Sequence, residues 1–163
     1  MKKLASFAVL AVSLSGCVST YKIPAGSTGP TARLKDTATQ TGSMKAEAFQ
    51  VSKINGLRDT MSPMATPYGG GMSVSLKESS RAIPAGSPIT VTLSGGNIYA
   101  ADGAALADMM SGNAKKSVVG DVVFIPKANG VYKVCGNAGK DSSSIWIEEE
   151  GTRKIVTQKI TKN

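Results

Sequence analysis

The feature that most restricts the fold is a run of short period-two segments, each closed by turn chemistry. Ile89, Val91 and Leu93 alternate with Thr90, Thr92 and Ser94, the pattern of a strand with one face buried and the other wet. Ala32 and Leu34 carry the same alternation in 30–35, Phe49 and Val51 carry it in 45–54, and Met72, Val74 and Leu76 carry it in a shorter stretch. Strands are also expected over 117–125, 131–135, 144–149 and 152–160. Between them stand Asn55-Gly56, a strong hairpin signal, and Ile83-Pro84-Ala85-Gly86, where Pro presets φ and Gly accepts a positive one. Residues 126–130 and Glu150-Gly151 read as further turns, 36–43 and 136–143 as polar loops. Residues 61–72 hold Pro63, Pro67 and Gly69-Gly70-Gly71 and read as a long mobile loop.

One segment breaks the β pattern. Over 101–112, Leu106, Met109 and Met110 recur at spacings of three and four, Asp102 can cap, and Gly112 can stop the turn. The expected architecture is therefore mainly β: an antiparallel sandwich over 30–163, immunoglobulin-like or transthyretin-like, with one short inserted helix.

The N-terminus obeys other rules. Lys2-Lys3 precedes an apolar run of about 11 residues from Leu4 to Leu14, followed by small residues, the three regions of a secretory signal. A membrane span needs roughly 20 apolar residues, and Ser13, Ser15 and Gly16 end this run too early.

The tetrapeptide Leu14-Ser15-Gly16-Cys17 resembles the lipobox of bacterial lipoproteins. That resemblance implies a signal peptide at 1–16, recognition through Leu14, Ser15 and Gly16, and Cys17 as the acylated first residue of the mature chain. Small residues let the chain lie extended in a protease groove, and the thiol is the nucleophile that takes up the diacylglyceryl group. Residues 17–29 then read as the lipidated cysteine and a flexible tether. With Val18 after the cysteine in place of Asp, analogy with Gram-negative sorting implies the outer membrane.

Composition narrows the chemistry. Loss of 1–16 from the 163 residues leaves 147, one ordinary domain, and loss of Lys2 and Lys3 from the 19 basic residues leaves 17 against 11 acids, a net +6. The basic residues are spread along the chain without interleaved aromatics, so nucleic acid is not an expected partner; a solvated basic surface is the plainer reading, and attraction to anionic lipid or cell-wall polymer the alternative. Acylation of Cys17 forbids a disulfide with Cys135, which is expected as a small buried hydrophobe. Histidine is absent. Ser-His-Asp and Cys-His catalysis and His-ligated zinc are excluded with it.

The remaining motifs are weak. Gly69-Gly70-Gly71 and Gly136-Asn137-Ala138-Gly139-Lys140 lack P-loop spacing, and Ser19-x-x-Lys22 lies in the expected tether. A carboxylate pair drawn from Glu148, Glu149, Glu150, Asp102, Asp108 and Asp121 is the one conceivable acid-base or calcium set, with an exposed acidic strand end as the plainer reading. Trp146, between Ile145 and Ile147, is expected as a core anchor. No cofactor or metal is called for.

Three segments, 29–34, Ile83-Pro84-Ala85-Gly86 and Ala128-Asn129-Gly130-Val131-Tyr132-Lys133-Val134, resemble small bacterial envelope lipoproteins with a β-sandwich behind the lipobox. That resemblance implies no active site. The expected function is a non-enzymatic binding or structural module of the cell envelope, held to membrane lipid through Cys17 and contacting an envelope protein or cell-wall polymer. Met61, Tyr68, Met72, Met109 and Met110 mark the candidate binding loops. The alternatives are an outer-membrane component of a secretion or assembly machine and a carboxylate-dependent cell-wall hydrolase.

Overall fold

A computed structural model describes residues 19–23, 28–65 and 73–163. The chain is a mainly β sandwich of two sheets. In chain order its elements are β1 (Thr31–Lys35), β2 (Thr37–Gly42), β3 (Lys45–Ile54), β4 (Leu57–Arg58), β5 (Ser80–Pro84), β6 (Ile89–Tyr99), α1 (Asp102–Met110), β7 (Val118–Phe124), β8 (Val131–Ala138), β9 (Ser143–Glu149) and β10 (Ile160–Lys162). The first sheet runs β10-β9-β8-β1-β5 and the second β2-β3-β6-β7, with β4 also on β3. Every strand pair is antiparallel except β1 with β8, where Arg33 pairs with Val131. Among the described residues no helix is long and apolar enough to cross a membrane.

The alternation read from the sequence forms the core. Leu34, Phe49, Val51, Ile83, Val91, Leu93, Val134, Ile145 and Ile147 point between the sheets and are buried. Phe49 stands across from Gly95 in the β3–β6 register, and a Cβ on Gly95 or on Gly136 of the facing sheet would overlap its ring. Gly130-Val131-Tyr132 is explained by buried Tyr132, which meets Phe124 edge-on at 5.3 Å and accepts the Lys127 N–H at 2.9 Å, closing the 126–130 turn. At Asn55-Gly56 both residues have positive φ, 49° and 79°, as a tight primed turn demands.

Several expectations are corrected. Residues 37–42, expected as loop, form edge strand β2; Thr37, Thr39 and Thr41 favour extended backbone, but the strand buries no apolar face, so no alternation reveals it. Residues 152–160 do not form one strand: Ile155 makes an isolated bridge to Glu148 and only Ile160–Lys162 pairs with β9. β8 continues to Ala138, into the expected loop. No strand forms around Val74 and Leu76. The described ends of the 61–76 segment are pinned instead: Leu76 bridges Met64, Val74 donates its N–H to Ser43 O at 2.8 Å, and buried Val74 packs with Ala46 and Ala100 in a second small core. The helix occurs where expected, capped by backbone at Ala101 with no side-chain cap and stopped by Gly112 at φ 66°.

Candidate functional site: the seat of the N-terminal segment

β2 covers β3 from Lys45 to Phe49 and β4 covers Lys53 and Ile54, which leaves Val51 in the gap between them. Asp36, at the crossing of the chain from β1 into β2, fills that gap. Its carboxylate accepts hydrogen bonds from Val51 N (2.9 Å), Ser79 Oγ (2.6 Å) and Arg81 Nη1 (2.8 Å), and pairs with Arg81 Nη2. Arg81 stands opposite Leu34 in β5, an inward position by strand parity. Its other flank meets Asp59, with Nε 2.6 Å from Oδ2. The N–H is off line, so neither atom gains a hydrogen bond and the contact is coulombic. The side chains of Arg81, Asp36 and Asp59 are 3 %, 0 % and 4 % exposed.

One cation thus stands between two carboxylates out of water. Burial pushes the Asp59 carboxyl above its usual range, and the nearby Asp36 charge adds to this, while Arg81 and the backbone N–H groups of Met61 and Thr60 oppose it.

The N-terminal segment is laid over this cluster. Thr20 bridges Arg58 in parallel, Tyr21 N donates to Arg58 O at 2.7 Å, and Arg58 N donates to Ser19 O at 3.2 Å. The Tyr21 hydroxyl reaches across to donate to Ala82 O in β5 at 3.2 Å. Burial and the Asp59 charge hold the Tyr21 hydroxyl above its ordinary pKa. Tyr21 thus spans β4 and β5 and roofs a cleft of about 380 Å³ lined by Asp59, Thr60, Met61 and Arg81. Within the stretch read as a tether, Ser19 and Tyr21 are therefore hydrogen-bonded to the sandwich, with Thr20 held between them as the bridge residue. A three-residue pairing is too short to leave a periodic trace.

Of the candidate binding residues, Met61 lines this cleft and is exposed; Met109 (68 % exposed) and Met110 (82 % exposed) lie apart from it on α1. Tyr68, Met72, Leu14, Ser15, Gly16 and Cys17 lie outside the described residues. The carboxylates do not converge. Glu148 pairs with Lys133 (3.1 Å), Glu149 with Lys127 (3.4 Å), Glu150 with Lys35 (3.0 Å) and Asp108 with Lys45 (2.8 Å), while Asp121 accepts from Thr92 at 2.6 Å. Asp102 opens α1. Among the described residues no three Cys, Asp or Glu gather as metal ligands.

Trp146 is not a core anchor. Ile145 and Ile147 take the inward positions of β9, so Trp146 faces outward, half-buried, with the Lys159 ammonium 4.4 Å from its ring and its Nε1 donating to Glu148 at 3.3 Å. Cys135 pairs across from Trp146 on the same outer face and is only partly buried. Burial, then the hydrogen bond to Glu148 and its charge, push the Cys135 thiol up to about 12. Burial raises Glu148, but hydrogen bonds from Lys133, Trp146 and Cys135 outweigh it and leave the carboxyl below its usual range.

The Asp36–Arg81–Asp59 cluster was missed by sequence reasoning, although one signal was present: Arg81 sits two residues before Ile83, so one cation shares the buried face. Comparison with known proteins adds no relative: no family model, curated protein or solved structure matches the chain.

Proposed function

We propose that the chain is an exported bacterial lipoprotein, cleaved before Cys17, acylated there and sorted to the outer membrane, whose sandwich serves as a non-enzymatic binding or structural module of the envelope. The reading rests on Lys2-Lys3, the short apolar run and Leu14-Ser15-Gly16-Cys17. The observation that supports it best is that Ser19, two residues past the cysteine and the first described residue, accepts a hydrogen bond from Arg58 N. A cut before Cys17 spares every described element. Several acyl chains on one residue make a lasting anchor, where a single chain of myristoyl size gives marginal binding.

The binding role is favoured over hydrolysis because Glu148, Glu149 and Asp121 each hold a separate structural partner. The partner class is an envelope protein or cell-wall polymer.

The test is membrane fractionation with mass spectrometry of the N-terminus. Cys17→Ser should move the protein from the membrane to the soluble fraction, and the parent should carry a diacylglyceryl group on Cys17. Retention of the variant in the membrane, or an unmodified Cys17, overturns the reading. Crosslinking in intact cells then identifies the partner.

A further inference from the structure

The docked N-terminal segment sets a direction. Thr20 pairs with Arg58 in parallel, so the chain traced back from Tyr21 to Ser19 runs as β4 does from Asp59 to Leu57, toward the Asn55-Gly56 turn. Cys17 is two peptide units further and stays within about 8 Å of Ser19 whatever its conformation. An acyl group on Cys17 would therefore be tethered within reach of that turn.

The side chains at the turn suit such a neighbour. Lys53 and Arg58 are exposed and directly paired across β3 and β4, a like-charge arrangement that is unfavourable in the protein alone. Neither has an ion-pair partner among the described residues. Lys35, Lys45, Lys115, Lys127 and Lys133 are each matched to a carboxylate, and Arg33, Lys77, Arg153 and Lys154 are, like Lys53 and Arg58, without one among the described residues; what sets Lys53 and Arg58 apart is that two such cations stand directly opposite each other in one ladder. The only carboxylate beside Arg58 in sequence, Asp59, is buried against Arg81. Leu57, the next residue on the turn, is exposed and apolar. Two uncompensated cations flanking an exposed leucine match a surface of anionic headgroups over hydrocarbon.

The other end differs. β3 runs from Lys45, paired with Tyr99, to Ile54, paired with Val91, so α1, which follows Tyr99, lies roughly 30 Å from the turn at strand rise. We infer that the β3–β4 turn is a lipid-facing surface that meets anionic headgroups through Lys53 and Arg58 and holds α1, with exposed Leu106, Met109 and Met110, away from the bilayer. The inference rests on acylation of Cys17 and adds to it an orientation and a lipid class.

The test uses the acylated protein purified from membranes, in a Cys135→Ala background, with a bimane label on Leu57→Cys or on Leu106→Cys. Each is reconstituted into phosphatidylcholine vesicles with or without phosphatidylglycerol, both doped with headgroup spin-labelled lipid. Quenching is expected at position 57 and not at 106, stronger with phosphatidylglycerol and weakened by salt. The Lys53→Glu/Arg58→Glu variant, at exposed positions and checked for folding by circular dichroism, should lose the phosphatidylglycerol dependence. Equal quenching at both positions in a protein shown to be acylated overturns the orientation and leaves the lipoprotein reading standing. Quenching at 57 that is indifferent to phosphatidylglycerol overturns the lipid class. A protein without acyl chains overturns both.

Discussion

Phe49 and Gly95 face each other across β3 and β6, and the phenyl ring occupies the space that a Cβ on Gly95 would need. Gly136 of the opposite sheet meets the same ring, at the same Cδ1 and Cε1 atoms. Three residues from three strands thus set the local distance between the sheets, with an aromatic ring covering two bare backbones.

Gly95→Ala and Gly136→Ala should each destabilise the sandwich by about 1–3 kcal/mol through overpacking. Phe49→Ala should cost about 3–5 kcal/mol, because it leaves a cavity that two glycines cannot fill. Urea unfolding followed by circular dichroism checks both, and a Gly136→Ala variant as stable as the parent would contradict this packing.

Arg81→Met leaves Asp36 and Asp59 buried without their cation, and Asp36→Asn removes the carboxylate that caps Val51 and binds Ser79. Breaking a buried pair in this way costs about 3–5 kcal/mol. Asp59→Asn should cost clearly less, since its contact with Arg81 is off line and its ionised form is already penalised by burial. The ranking of the three in denaturant midpoints is the measurement.

The acid response follows from the directions of the shifts. Asp59 is raised above 3.8, so between that value and its folded one the native state holds more protons than the unfolded state, and acidification through this window adds stability. Glu148 is lowered, so its contribution is present above its unfolded value and lost as pH falls through its folded one. Asp59→Asn removes the opposing effect. Its stability should therefore fall more steeply than the parent's as pH drops below neutrality.

With its thiol pushed from 9.0 to about 12, Cys135 holds roughly a thousandfold less thiolate near pH 8 than an unperturbed cysteine. Its reaction with an aromatic disulfide reagent should be correspondingly slow in the native protein and fast in urea. Glu148→Gln should accelerate the native reaction, because it removes a neighbouring negative charge.

Trp146 is the protein's one tryptophan and lies on an outer face beneath Lys159. Its emission should be red-shifted and quenched by acrylamide in the folded state. A blue, shielded emission would place the ring in the core instead.

The sequence made the interior legible wherever burial is periodic. β3, β7 and β9 lie within a residue or two of their expected limits because Phe49, Val122 and Ile147 mark a buried face, whereas β6 starts at the expected Ile89 but runs five residues past Ser94 to Tyr99, through Gly95 and Gly96 where no alternation marks it. β2 was hidden because Thr37–Gly42 is held by ladder hydrogen bonds at an edge and buries nothing that alternates. Trp146 was misplaced by hydrophobicity where parity with Ile145 and Ile147 decides the face. The charged cluster was hidden for a different reason: Asp36, Asp59 and Arg81 are remote in sequence, and only the crossing of β1 into β2 brings them together. The seat of Tyr21 depends in turn on that cluster and on β4, so no local pattern announces it.

The parallel ladder between β1 and β8 also orders events in time. β1 is inserted between β5 and β8, with Arg33 beside Val131, so the first strand to leave the ribosome waits for one of the last before its sheet can close. Such remote pairing slows folding. The β2-β3-β6-β7 sheet can be complete once residue 124 is made, whereas the ladder that joins β1 to β8 waits for residues 131–138, so the two layers of the sandwich come of age at different moments.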